Sequence, residues 1–287
     1  MDALTVDRII PELRQKLPED EPAARRRIEG IGTPERAWRQ WMPLWDTPLT
    51  SLDALVPPGS RVVVVAPHPD DEVLGCGGLL SMLATRLRST ATATELPTLA
   101  PFVAVIGVTD GDASHRGSTT WAPQFLAAQR RLERLRGLRH LGLRIPVHGL
   151  CVPDGRVMFH ERRLVAALSR LLRPGDVVIT TWRHDGHPDH EAVGRACAAA
   201  ARRVGATLLE MPVWTWHWAR PGDAAVPWHR LRQLPLSGRA LEDKWLALSE
   251  HHSQLMRDGE RPPVLFPEAV DRLLRSSEFF FVAEQQA

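Results

Sequence analysis

After residue 60 the chain alternates between short apolar runs and longer stretches whose apolar residues recur three and four positions apart. RVVVVA (61–66), FVAVIGVT (102–109), IPVHGL (145–150), DVVITT (176–181) and ATLLEMPVW (206–214) read as strands. Helical patterns lie between them at about 73–88, 123–141, 160–172 and 189–203, the last rich in alanine. This alternation predicts an α/β fold of three layers, a mostly parallel sheet with helices on both faces. Such a sheet binds ligands beyond the carboxyl ends of its strands, where short loops meet helix starts.

Residues 1–58 read instead as a helical, proline-punctuated lead-in whose apolar, tryptophan-bearing AWRQWMPLW packs on a main domain of residues 59–287. RSTATATELPTLAP (88–101) reads as a surface connection. No internal repeat interrupts the pattern.

Composition narrows the function classes. At 287 residues and 44% hydrophobic, the chain is long enough for a large buried core. Its formal charge of +2 is spread along the whole length, so no basic arm or stripe points to nucleic acid or an anionic membrane surface. Residues 1–30 are charged and lack the apolar centre of a signal peptide, and no apolar run approaches the roughly 18 residues of a membrane span. The expectation is a cytoplasmic protein without a membrane span, its oligomeric state left open. Cys76, Cys151 and Cys197 are odd in number and far apart, which suits reduced thiols.

The chemistry sits where the pattern says a ligand belongs. APHPDDE, TDGDASH and TWRHDGHPDHE each follow a strand. Buried charges are costly unless paired or bound to metal, so such clusters point to a site. His68 and Asp71 bracket a tight turn, and His190 opens the helix after another strand. Two histidines and one carboxylate form a catalytic zinc set that leaves a coordination position open for water, whose pKa the metal lowers to about 7. Asp70 is then free to act as general base, with Glu72 its understudy. His187 is placed to stabilise an oxyanion or protonate a leaving amine. Asp185 and Asp189 are candidates for fixing the imidazoles. Cys76 and the glycines around it read as packing residues that let a helix approach the sheet.

HPDDE after an apolar strand, TDG after the next, Arg130 and Glu133 in an R-x-x-E helix ending near LG, and HPDH together resemble the PIG-L/LmbE-like zinc deacetylases, with a weaker echo in KWLALSEHHSQ (244–254). The resemblance covers about residues 60–215. It implies a Rossmann-like fold, one zinc ion per chain and removal of acetyl groups from N-acetylglucosamine-type sugars, so the partner is a small acetamido-sugar conjugate. It makes His68, Asp71 and His190 the ligands, Asp70 the base and His187 the electrostatic partner. It also moves Arg130 toward the pocket, where it would grip substrate, with Asp110 of TDGD a further substrate-binding candidate.

WTWHWAR (214–220), read as a strand, puts Trp214, Trp216 and Trp218 on one side, where Trp216 and Trp218 serve as a sugar-stacking wall or as core. Two other classes compete. A metal-dependent phosphoesterase often uses two ions and needs more carboxylates, which only Asp110 and Asp112 could supply. A nucleotide-binding module needs glycines directly after the strand, and the carboxylates of HPDD stand there and repel phosphate.

Overall fold

The computed structural model describes residues 26–89, 99 and 101–282. The lead-in before residue 26 and residues 90–98 and 100 of the connection lie outside the described residues. Among the described residues one sheet is built from β1 (Val62–Ala66), β2 (Val103–Gly107), β3 (Val147–Gly149), β4 (Val177–Thr181), β5 (Thr207–Met211), β6 (Leu231–Pro235) and β7 (Ser277–Phe281). Their order is β3-β2-β1-β4-β5-β7-β6. The five strands from β1 to β5 pair in parallel, and β7 runs antiparallel to both β5 and β6.

Helices α1 (Glu35–Gln40), α2 (Met42–Trp45) and α3 (Leu52–Leu55) precede the sheet. Four more, α4 (Asp71–Ser89), α5 (Pro123–His140), α6 (Glu161–Leu171) and α7 (Pro188–Val204), lie between the parallel strands. After β5 come α8 (Thr215–Trp218), α9 (Gly238–Ser249), α10 (His252–Leu255) and α11 (Pro267–Leu273).

The four valines of β1 show why the central strand is apolar throughout. Val62 and Val64 enter one core with Leu79 and Leu80 of α4, Leu138 of α5 and Leu248 of α9. Val63 and Val65 enter the other with Leu164 and Leu168 of α6 and Val193 of α7. Side chains alternate along a strand, so a strand covered on both faces has no solvent side on which to place polar residues. Trp38 and Leu44 of the lead-in are fully buried in the first of these cores.

The structure departs from the sequence reading at the C-terminal half. ATLLEMPVW does not remain extended: β5 ends at Met211, and the tryptophan stretch winds into the short helix α8. Neither β6 nor β7 shows in the apolar pattern, because Arg232, Gln233 and Glu278 interrupt it. Glu278 is nonetheless buried, since it accepts from the backbone N–H groups of Gly78 (2.7 Å) and Leu79 (2.8 Å) and from the Lys244 ammonium (2.8 Å). Those N–H groups are free to donate because α4 breaks at Cys76, whose φ of −144° and ψ of 21° are not helical. All three cysteines are unpaired, and no helix among the described residues is long and apolar enough to cross a membrane.

His251, between α9 and α10, is fully buried, and neither ring nitrogen has a hydrogen-bond partner. Burial, together with the nearby Arg130 and Arg134 cations, pushes its pKa from 6.5 down to about 3. The unfolded chain therefore takes the proton first. The stability held by the neutral ring is complete above pH 6.5 and drains as pH falls from 6.5 toward about 3. From this group alone the loss is expected to reach about 3 kcal/mol by about pH 4. Urea unfolding across that range should show a shallower acid limb in His251→Leu; parallel limbs would contradict it.

Candidate active site

β1 and β4 are neighbours, but the chain continues from β1 outward to β2 and from β4 outward to β5. The crevice beyond their carboxyl ends is thus the switch point of the sheet. His68-Pro69-Asp70-Asp71 leaves β1 into α4, and Asp185 to His190 leave β4 into α7. Gly194 lets α7 lie this close to β4: a Cβ there would stand 2.7 Å from the Thr181 carbonyl oxygen. A cavity of about 250 Å³ opens at this point, lined among others by His68, Asp70, Asp71, Asp154, His187 and His190.

Three donor atoms form a nearly equilateral triangle on its floor. His68 Nδ1 lies 3.2 Å from His190 Nε2, and Asp71 Oδ2 lies 3.3 Å from each. Those separations match the edge of a tetrahedron about an ion roughly 2.0–2.1 Å from each nitrogen or oxygen ligand.

The hydrogen bonds behind the triangle decide which ring atoms carry lone pairs. Asp185 is fully buried and accepts from the N–H groups of Val213 (3.0 Å), Trp214 (2.9 Å) and Thr215 (2.9 Å) and from the Thr215 hydroxyl (2.6 Å), which marks it as a carboxylate. It lies 2.9 Å from His190 Nδ1, so that nitrogen donates and Nε2 turns its lone pair to the triangle. On the other ring, His68 Nε2 faces Asp154 at 3.1 Å, which leaves Nδ1 as the acceptor. Three lone pairs converge, and the chemistry of this donor set calls for a cation.

The charges agree. Burial pushes the Asp71 carboxyl up, yet His190 and His68 outweigh it and hold the group well below the usual carboxylate range. Burial pulls both imidazoles down, and the surrounding carboxylates overcome it. Asp154, Asp189 and Asp71 hold His68 well above its ordinary value, and Asp71 and Asp185 lift His190 to about 9. A metal ion entering here would displace protons from these rings. Two other donor sets lie close enough to share an ion, His68 with His187 and His190, and His68 with Asp154 and Asp189. The second is already spoken for: Asp189 accepts from Gly155 N–H (2.7 Å) and Val157 N–H (3.1 Å), and Asp154 from Ala113 N–H (2.8 Å).

Asp70 lies beside the triangle and is held by Arg130, whose Nη2 donates to Asp70 Oδ2 (3.0 Å) and to the Pro69 carbonyl (3.2 Å). Its φ of +156° is costly for a residue with a Cβ, and these bonds help hold it. Burial pushes its carboxyl up to about 7, with Arg130 pulling against the rise. Glu72 is taken out of contention as a base: it is fully buried, and Arg134 donates to both of its oxygens.

His187 caps α7, its Nδ1 accepting from the Asp189 N–H at 3.2 Å. Burial, with His68 and His190 nearby, holds its pKa well below the ordinary value. The neutral ring therefore carries its proton on Nε2.

Several sequence expectations are corrected. The Asp110 side chain pairs with Arg131 and does not line the cavity, so neither a substrate contact nor a second-metal ligand comes from it. Arg130 lines the cavity as expected, while its helix neighbour Glu133 accepts from Ser253 N–H (2.9 Å) and Oγ (2.6 Å). Trp216 is core: its ring lies 5.3 Å from both Trp38 and Phe279, under the Arg275 guanidinium. Trp218 donates to the Asp185 carbonyl (2.9 Å) and stacks on Trp182, away from the cavity lining. One helical turn sends Trp216 to the side opposite Trp214 and Trp218, and of the three only Trp214 lines the cavity. Asp154 and Gln254 also line it without having been singled out. Asp154 sits in a PDG turn that reads as a loop, whereas Gln254 belongs to the HHSQ echo.

Comparison with known proteins adds independent findings. Residues 63–201, a little under half of the chain, match the family model described as GlcNAc-PI de-N-acetylase, PIG-L. A diacetylchitobiose deacetylase of Thermococcus kodakarensis is 29% identical over 138 residues, 47% of this chain and 46% of that protein. A probable N-acetyl-alpha-D-glucosaminyl L-malate deacetylase 2 of Bacillus cereus is 24% identical over 156 residues, 50% of this chain and 62% of that one. The chain thus spans less than two thirds of the length of these curated relatives. Among solved structures, an N,N'-diacetylchitobiose deacetylase from Pyrococcus horikoshii is similar over 80% of this chain and 83% of its own, at 20% identity and a TM-score of 0.53. A conserved protein from Thermus thermophilus is similar over 79% and 96%, at 22% identity and the same TM-score of 0.53. At these identities the structures speak for the fold. The family match takes in HPDDE, TDG, the R-x-x-E helix and HPDH, so the segment that carries the site is the segment similar to the PIG-L family.

Proposed function

We propose that this chain is a metal-dependent amide hydrolase that removes the acetyl group from a small N-acetylglucosamine-type sugar conjugate. The observation that carries the reading is the triangle of Asp71 Oδ2, His68 Nδ1 and His190 Nε2 beside a buried carboxylate in an open cavity. In this reading those residues hold one zinc ion per chain. Bound there, the ion supplies Lewis acidity, acidifying water and polarising an amide carbonyl.

The chain's own residues do the rest. Arg130 occupies one oxygen of Asp70 and fixes the carboxylate, and the other oxygen accepts the proton of the attacking water. His187 donates from Nε2 to the carbonyl oxygen as negative charge develops. The proton held by Asp70 then passes to the departing amine nitrogen, and acetate is the second product. Asp185 sets the tautomer of His190, and Asp189 sets that of His187 through its backbone N–H. Trp214 offers the flat wall for the sugar. The same reading places the protein in the cytoplasm, with 1–58 as a lead-in to a deacetylase domain of 59–287.

The test is release of acetate and free amine from a panel of N-acetylglucosamine conjugates by the zinc-loaded protein. No acetate from any of them would end the reading. A narrower expectation concerns Asp185→Asn, whose amide can donate to His190 and reverse its tautomer. Zinc affinity, measured by chelator competition, should fall about 10- to 100-fold; unchanged affinity would remove Asp185 from the site.

A further inference from the structure

Every charge on the cavity lining but one has its partner. Asp70 pairs with Arg130, Asp71 with the two imidazoles, and Asp154 with His68. The remaining charge is Arg116. It lines the same cavity, its side chain is exposed, and no hydrogen bond or ion pair holds its guanidinium among the described residues. A Cβ on Gly155, itself part of the lining, would stand 3.0 Å from Arg116 Nη2, which locates the guanidinium close to Gly155 at the cavity's edge.

The backbone that carries Arg116 is firmly held. Arg261 donates from Nη1 to the Arg116 carbonyl (2.7 Å) and from Nη2 to the Gly117 carbonyl (2.8 Å). Ala113 N–H donates to Asp154 (2.8 Å), and the Ser114 hydroxyl to the Gly111 carbonyl (3.2 Å). A cation on a held loop can meet a ligand without reordering the backbone, which lowers the entropic cost of binding.

The cavity is therefore graded. Its floor is the carboxylate and imidazole cluster, suited to a neutral acetamide. Ile28, Trp214, Val264 and Leu265 give it an apolar wall, suited to the face of a sugar ring. At the rim stands an unpaired guanidinium, whose planar fork matches carboxylate or phosphate in a bidentate manner. We propose that Arg116 selects acetamido-sugar conjugates that carry an anionic group, a carboxylate or a phosphate, on the side of the sugar facing the rim. This rests on the deacetylase reading above.

The test uses matched N-acetylglucosaminides: lactate against lactamide for a carboxylate, and glycerol phosphate against glycerol for a phosphate. With the zinc-loaded full chain, kcat/KM is expected to favour the anionic member by about tenfold, and the preference to shrink as salt rises. The pair that shows the larger ratio identifies the anion. In Arg116→Gln the ratio should fall toward one, and Arg116→Lys should keep part of it. A ratio unchanged in Arg116→Gln overturns the proposal while leaving the deacetylase reading intact. Calorimetric binding of the same pairs separates the two failures. Equal affinities within each pair overturn the role of Arg116, whereas a preserved affinity ratio without acetate release supports it and overturns the deacetylase reading.

Discussion

Asp70→Asn is expected to bind zinc as the parent chain does and yet lose turnover by about 10²- to 10⁴-fold, the range for a positioned general base. Asn keeps the shape of the side chain and can still face Arg130, but its amide cannot take a proton from water. No neighbour is free to substitute: Glu72 is closed off by Arg134, and Asp71 is turned to the two imidazoles. The backbone of the HPDD turn and the triangle are untouched, so the metal stays. Steady-state turnover with zinc content on the same preparation checks both halves. A near-normal rate would move the base elsewhere, and loss of zinc would make Asp70 part of the metal-binding set.

The second large effect concerns stability. Trp216→Ala is expected to destabilise the fold by about 3–5 kcal/mol, the cost of a cavity where a large aromatic ring was fully packed. Trp216 is 3% exposed, it touches Trp38, Trp228 and Phe279, and its backbone carbonyl accepts from Trp38 Nε1 at 3.0 Å. Its loss is felt in the lead-in and in β7 together. Trp214→Ala should do the reverse, raising KM with a much smaller change in unfolding free energy, since that ring lines the cavity. Denaturant unfolding and KM on both variants decide the matter. A large rise in KM with little loss of stability in Trp216→Ala would restore it to the substrate wall.

The difference between these tryptophans shows what the sequence could reveal. β1, β2 and β4 were legible because strands buried on both faces are almost wholly apolar, β3 and β5 because short apolar runs fall between helices that keep their period. β6 and β7 were not, because Glu278 is tolerated in β7 only through partners far away in sequence, at Gly78, Leu79 and Lys244. At the site, HPDD and HPDH stood out as ionisable clusters at the ends of apolar strands. Asp154 is a lone aspartate in a turn, and its position beside His68 exists only after β3 joins the sheet. Arg130 and Glu133 have the spacing of a helical pair, yet Asp70 and Ser253 claim them separately across the fold. Alternating tryptophans suggested a strand, and a single helical turn put Trp216 in the core and Trp214 at the cavity.

The claim on which the rest depends is that His68, Asp71 and His190 together hold one ion. Metal content after extensive dialysis, measured on the parent chain and on a folded His190→Ala variant, tests it most directly. The account expects about one zinc per chain in the parent and close to none in the variant, since two remaining ligands do not make a catalytic zinc site. Full occupancy in His190→Ala, or two ions per parent chain, would contradict it.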